Sequence, residues 1–149
     1  MKTVENFLLA RIAGQHIALH TTWVSEVLPA QPVTAVAGAA EGIAGIMVLR
    51  GRLLAAINLA YCFKDIETSV QSTSAVNKAM NVIVTHEGRL YSLQVDAVGT
   101  VCELPHDLRA PLPVTVSPQL QALVPVVCRL PAHTVMLLDI PKLLSGFGA

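Results

Sequence analysis

Residues 42–63, GIAGIMVLRGRLLAAINLAYCF, are answered further along the chain by residues 123–144, LVPVVCRLPAHTVMLLDIPKLL. Leu49 answers to Leu130, Ile57 to Leu138, Asn58 to Asp139 and Leu59 to Ile140. Each stretch has two short apolar runs around a turn, then a polar residue that opens a short helical pattern. Working outward, residues 7–28, FLLARIAGQHIALHTTWVSEVL, match residues 81–104, NVIVTHEGRLYSLQVDAVGTVCEL. Gly14 answers to Gly88, Val24 to Val98 and Val27 to Val101. The chain reads as one β-rich unit written twice. A duplicated β unit without catalytic residues points to docking rather than chemistry.

Within the first unit, Phe7–Ile12 and His16–His20 flank Ala-Gly-Gln and read as a hairpin. Trp23–Leu28 is a third strand, stopped by Pro29 and Pro32. Glu41–Ala44 is expected to form one helical turn. Gly45–Leu49 and Leu53–Ile57 flank Arg50-Gly51-Arg52, a second hairpin with glycine in the turn. Asn58 then caps a short helix, because its side-chain oxygen can accept a free amide proton of the first turn. Asp139 holds the same place in the second unit, with Pro141 near the first helical position, where a missing N–H is harmless. Lys64–Ala79 is polar, rich in Ser and Thr and without periodicity, and reads as the linker.

The second unit repeats the order. Met80–His86 and Arg89–Val95 flank Glu87-Gly88. Val98–Leu104 runs to Pro105, a proline-rich loop extends to Pro118, and Gln119–Leu123 reads as a helical turn. Pro125–Leu130 and Thr134–Leu138 close the unit. Many short strands joined by Gly and Pro turns indicate an all-β fold of small barrels.

The chain of 149 residues suits one domain, or two subdomains that share a core. A single copy of about 65 residues is marginal alone, so the copies are expected to pack tightly. The composition is 53% hydrophobic and 13% charged, and part of that apolar excess is expected in interfaces. Ten basic and ten acidic residues cancel, which leaves no basic stripe for nucleic acid. The charge-free run between Arg109 and Arg129 contains four prolines and two glutamines, which argues against direct membrane insertion. The N-terminus is a poor signal peptide. Cys62, Cys102 and Cys128 are odd in number and widely spaced, and read as free buried thiols in a reducing cytoplasm.

With these residues in view, GIAGIMVLRGRLLAAINL resembles the CheW-like domain of bacterial chemotaxis. The family pattern there is close to G-x-[VI]-x-[LV]-R-G-x-[VIL]-[VIL]-x-[VI]-[DN]-L. LYSLQVDAVGTVCEL resembles the second-half pattern, and WVSEVL resembles a V-x-E-V stretch of the first half. The resemblance spans about Glu5 to Leu144. It implies two intertwined five-stranded SH3-like β-barrels with short helices, in one domain over residues 5–145. The first barrel would lie at about 5–63 and the second at about 80–145, with strand exchange possible. It also implies a cytoplasmic scaffold, recruited to membrane receptor arrays, between the regulatory domain of a CheA-type histidine kinase and the cytoplasmic tip of a chemoreceptor. Two departures stand out. Asn58 replaces the usual Asp and removes a charge, and Pro131-Ala132 stands where the first unit has Arg50-Gly51.

Arg50, Glu26, Val24, Val27 and Val98 are the candidate partner-binding residues. Arg50 offers a planar fork of donors beside a turn, and its competing reading is a solvated turn residue. Glu26 sits in an apolar strand, either facing solvent or contacting a partner at an edge. An apolar groove between the barrels is expected to receive the receptor. His16 and His20 share a strand face without a third ligand, so a strand surface is preferred over a metal site. Asp96 reads as a strand-end acceptor for a turn backbone rather than a catalytic acid. Trp23 fits either a buried anchor or an interface. No nucleophile–base pair, G-x-S-x-G, G-x-G-x-x-G or P-loop is visible, so neither an enzyme nor a cofactor is expected. The rival readings are an adaptor of a non-flagellar chemosensory system, for surface motility or biofilm, and a small-molecule-binding β-barrel.

Overall fold

The computed structural model describes residues 5–39, 42–62, 80–112 and 122–145. The expected linker at 64–79, most of the Gln119–Leu123 turn and the side chain of Cys62 lie outside these residues.

The first unit supplies strands β1 (Asn6–Ile12), β2 (Gln15–His20), β3 (Val24–Pro29), β4 (Ile43–Leu49) and β5 (Arg52–Asn58). The second supplies β6 (Met80–His86), β7 (Arg89–Val95), β8 (Ala97–Glu103), β9 (Arg109–Pro111), β10 (Val126–Arg129) and β11 (Thr134–Leu137). They form two sheets. One has the order β3-β6-β7-β5-β4 and the other β8-β1-β2-β11-β10-β9.

Each sheet curls into an SH3-like barrel, and neither is built from one half of the chain. The first hairpin of each unit, β1–β2 or β6–β7, is inserted into the barrel of the other unit. Residues 5–63 and 80–145 therefore each contribute to both barrels. The insertion repeats faithfully. β6 pairs with β3 as β1 pairs with β8, both antiparallel. β7 pairs with β5 as β2 pairs with β11, both parallel. One barrel has a sixth strand, β9, of three residues, where a loop was expected. Its counterpart in the other barrel is a single bridge from Thr34 to Ile46.

Three hairpins turn in two residues, as expected for Glu87-Gly88 and one residue fewer than expected for the other two. Ala13-Gly14, Arg50-Gly51 and Glu87-Gly88 all have φ near +50° and then near +78°. That is the type I′ geometry, whose twist matches the flanking strands and whose second position suits glycine. Asp96 Oδ2 accepts from the Ala13 N–H at 2.9 Å, which ties the β1–β2 turn to the start of β8. The helix Leu59–Cys62 is capped by Asn58, whose Oδ1 accepts from Ala60 N–H at 3.2 Å. The helix Ile140–Ser145 is capped by Asp139, whose Oδ1 accepts from Lys142 N–H at 3.1 Å. The helical turn expected at Glu41–Ala44 does not form at its described end. Ile43 and Ala44 already belong to β4, with Ile43 paired to Ile57 of β5 and Ala44 at the register shift that follows. Trp23 ends a 3-10 turn, Thr21–Trp23, instead of opening β3.

Three apolar clusters explain the composition. Phe7, Ala18, Cys128 and Val135 fill one barrel. Met47, Leu54, Ala56 and Ile83 fill the other. The largest cluster lies where the two meet, with Leu8, Ile12, Ile17, Leu19, Ile57, Val82, Val84, Leu93 and Ile140. The exchanged strands are thus buried on both faces. Val82, Ile83 and Val84 are consecutive residues of β6 and all fully buried. Such strands read as continuous apolar runs rather than alternating ones. Much of the apolar excess is consumed inside the fold and not on its surface. Each fully buried Leu, Ile or Val contributes about 1.5–3 kcal/mol. Neither barrel can keep that contribution if the other unfolds.

Candidate docking surface

The β4–β5 hairpin forms an edge of its sheet and alternates inward and outward over residues 45–48 and 53–56. Met47 and Leu54 oppose each other and point into the barrel. Val48 and Leu53 oppose each other one step on and point outward. Val48 is 60% exposed and Leu53 72% exposed. Ile46 extends the outward row, and Val36 is a further exposed aliphatic residue. An isolated exposed valine is ordinary, but an opposed pair continued along a strand is a patch. The second unit has the same hairpin, β10–β11, with Arg129 and Thr134 at the places of Val48 and Leu53, both exposed. Solvent is met there by polar side chains. The same fold element is therefore apolar outside in one copy and polar in the other.

Arg50 and Glu26 meet. The Arg50 guanidinium donates from Nη1 to Glu26 Oε2 at 2.6 Å and from Nη2 to Glu26 Oε1 at 2.8 Å. This bidentate pair ties the tip of β4–β5 to β3, the far edge of the same sheet. It closes the barrel through side chains where no backbone ladder joins the two edges. The side-chain hydrogen bond from Arg50 holds the Glu26 carboxyl below its ordinary value, and the same bond raises Arg50. Arg50 stays largely exposed and has a left-handed backbone, φ +50°, which the turn imposes.

Val24 and Val27 on β3, and Val98 on β8, are half-buried and pack against the shared core. Val98 also lines a cavity of about 310 Å³ with Leu9, Ala10, Arg11, Gly99 and Thr100. His16 and His133 complete its wall, stacked with ring centroids 3.9 Å apart and planes inclined by 17°. This cavity lies within one barrel rather than between the two. His20 is engaged elsewhere. Its Nδ1 accepts from Thr22 N–H, and its Nε2 lies 3.5 Å from Glu5. Among the described residues no group of three or more His, Cys, Asp or Glu could hold a metal ion. Trp23 packs against the core and meets His86 edge to face.

Val48 and Leu53 escape a reading of the sequence because aliphatic residues in a strand are expected in the core. The signal that exposes them is internal. Where one copy has Val48 and Leu53, the other has Arg129 and Thr134.

Comparison with known proteins agrees with this architecture. The sequence model of the CheW-like domain matches residues 6–147. No curated protein matches the chain. Among solved structures, the scaffolding protein TtCheW from Thermoanaerobacter tengcongensis superimposes with a TM-score of 0.74 at 23% identity. The match covers 92% of this chain and 90% of that one. The exchanged barrels, the capped repeat endings and a family match over nearly all of its length show that the chain belongs to the CheW-like domain family of chemotaxis scaffolds.

Proposed function

We propose that this chain is a non-enzymatic adaptor that couples chemoreceptors to a CheA-type histidine kinase in a bacterial chemosensory pathway. The observation that carries the reading is the apolar outer face of β4–β5, with Val48 and Leu53 exposed where the sister hairpin is polar. An exposed apolar pair on an edge hairpin is removed from water by a partner, and the partner proposed for it is the regulatory barrel of the kinase. Burying Val48 and Leu53 would contribute about 1.5–3 kcal/mol each. The Glu26–Arg50 pair holds the hairpin tip in register with β3, so the two residues act on orientation more than on raw affinity. The receptor tip is assigned to the cavity floored by Leu9 and Val98. The adaptor works in the cytoplasm, without a cofactor, nucleic acid or membrane insertion. Formal neutrality supports the reading without nucleic acid.

The test gives the first hairpin the outer face of the second. Val48→Arg with Leu53→Thr changes two exposed side chains, so the melting temperature should stay within the range of ordinary surface substitutions, about ±0.5 kcal/mol in stability. Capture of the kinase regulatory domain should fall at least about tenfold, the loss expected when about 1.4 kcal/mol of contact is removed. Undiminished capture by a folded double variant would remove the ribbon from the interface. Failure of the unaltered chain to capture the domain would remove the coupling role.

A further inference from the structure

The two sister hairpin tips are fastened in different ways. In the first barrel Arg50 grips Glu26 with two charged hydrogen bonds. The corresponding residues of the second barrel are Pro131 and Thr100, which carry no charge. There the tip residue His133 lies flat on His16 of β2. Within the tip Leu130 N–H also donates to His133 O at 3.0 Å, and the Leu130 side chain packs against the cluster that contains Phe7, Ala18 and Val135. The cavity opens beside it, between His133, His16 and the β8 residues 97–100.

We propose that the tip of β10–β11 is a proton-sensitive flap, held against β2 by the His16–His133 stack and released when an imidazole of that stack takes a proton.

The argument is one of charge. Stacked neutral imidazoles are compatible, but a protonated ring faces the Arg11 guanidinium and, among the described residues lining the cavity, no carboxylate. Arg11 stands directly across from His16 in the β1–β2 register. His133 covers it from the hairpin tip. From β8, residues 97–100 bring no ionisable group, and β11, Thr134–Leu137, brings none either. Asp96, at the start of β8, has its Oδ2 engaged by Ala13 N–H at the β1–β2 turn. Burial, then His133, then Arg11 push His16 below the ordinary imidazole value of 6.5. The sign follows from linkage. A His lowered in the closed state and ordinary in the open one makes the open state bind more protons. Closure is therefore unopposed above pH 6.5 and loses ground as pH falls from 6.5 through the lowered value. The device does not depend on what the cavity binds.

The free, full-length protein is titrated by NMR between about pH 7.5 and pH 5, with imidazole signals and backbone amides followed together. His16 should titrate below 6.5, and the amides of Leu130, Ala132, His133 and Thr134 should move with the same midpoint. Exchange of the Leu130 amide, corrected for its intrinsic rate, should accelerate at low pH by up to about tenfold per unit by which His16 is lowered. In His133→Phe the ring remains but cannot charge, and the remaining imidazolium faces a π surface that accepts it. The coupled amide movement should then vanish. His16 titrating at or above the ordinary value would overturn the proposal. So would tip amides that stay still while His16 titrates, or that move equally in His133→Phe. The titration of the unaltered protein decides by itself if the variant does not fold.

Discussion

Gly45 is where the structure makes its sharpest demand on one residue. It lies in β4 beside the register shift between Ile43 and Gly45, is buried, and has φ +154°. The segment Val33–Thr34 crosses directly over it. Thr34 N–H donates to Ile46 O and Ile46 N–H donates to Thr34 O, both at 2.8 Å. A Cβ on residue 45 would stand 2.1 Å from Thr34 O, 2.7 Å from Thr34 C and 2.9 Å from Val33 Cγ1. Carbon and oxygen that are not bonded need about 3.3 Å, so Gly45→Ala must push the crossing segment away. Two backbone hydrogen bonds would be lost, at about 0.5–1.5 kcal/mol each. The unfavourable φ adds about 1–3 kcal/mol. The expected cost is about 2–6 kcal/mol, a fall in melting temperature of about 4–24 °C for a domain this size. Gly51→Ala is the control. Gly51 also has positive φ, +79°, but a Cβ there meets nothing within 4 Å. It should cost only the left-handed penalty of about 1–2 kcal/mol. The change in unfolded-chain entropy is the same for both variants and cancels. Thermal melts and amide exchange at Thr34 and Ile46 read the outcome. Equal melts for the two variants, with the Ile46 amide still protected, would refute the steric argument.

Removing either member of the barrel clamp tests its role. Arg50→Ala and Glu26→Ala should each weaken kinase-domain capture, and the double variant should be no worse than the poorer single one, which a double-mutant cycle would show. The clamp also predicts acid sensitivity. Glu26 is lowered in the folded state, so its contribution is present above the ordinary carboxyl value of 4.5 and is lost as pH falls through the lowered value. A melt series across that range should separate the unaltered protein from Glu26→Gln above 4.5 and merge them in acid. Asp96→Ala should cost about 0.5–1.5 kcal/mol by orphaning the Ala13 N–H, and Asp96→Asn, which keeps an acceptor, should recover most of it in the same melts.

Local chemistry was legible from sequence and long-range pairing was not. The Asn58 and Asp139 caps and the glycine turns are decided within a few residues, and each appears where its neighbours place it. The partner of Asp96, a turn amide, has the chemistry expected of a strand-end Asp, but it lies 83 residues away. Which half completes which barrel leaves no local mark, because two copies of one unit offer similar edges to either neighbour. Glu26 and Arg50 could each be picked out as charges in apolar surroundings. Their contact exists only because β3 and the β4–β5 tip become the closing edges of one barrel. Val24, Val27 and Val98 lie on the edge strands β3 and β8, in which no residue is fully buried, so burial does not follow a two-residue period there.

The exchange bears directly on what such a chain can do as a scaffold. Had each unit closed on itself, the two barrels would meet through one surface and could tilt or unfold separately. With β1–β2 and β6–β7 traded, every barrel contains strands from both halves, and the largest apolar cluster belongs to neither alone. The β4–β5 ribbon sits in one barrel and the histidine-walled cavity in the other. The β6–β7 and β1–β2 hairpins that separate them are the most deeply buried parts of the fold. A displacement at the cavity presses on β1 and β2, whose inner side chains Ile12, Ile17 and Leu19 share a cluster with Val82, Val84 and Leu93 of β6 and β7. Close-packed interiors transmit strain rather than absorb it. A partner on the cavity and a partner on the ribbon would therefore be held in fixed relation by the backbone itself, as an adaptor between a receptor and a kinase requires.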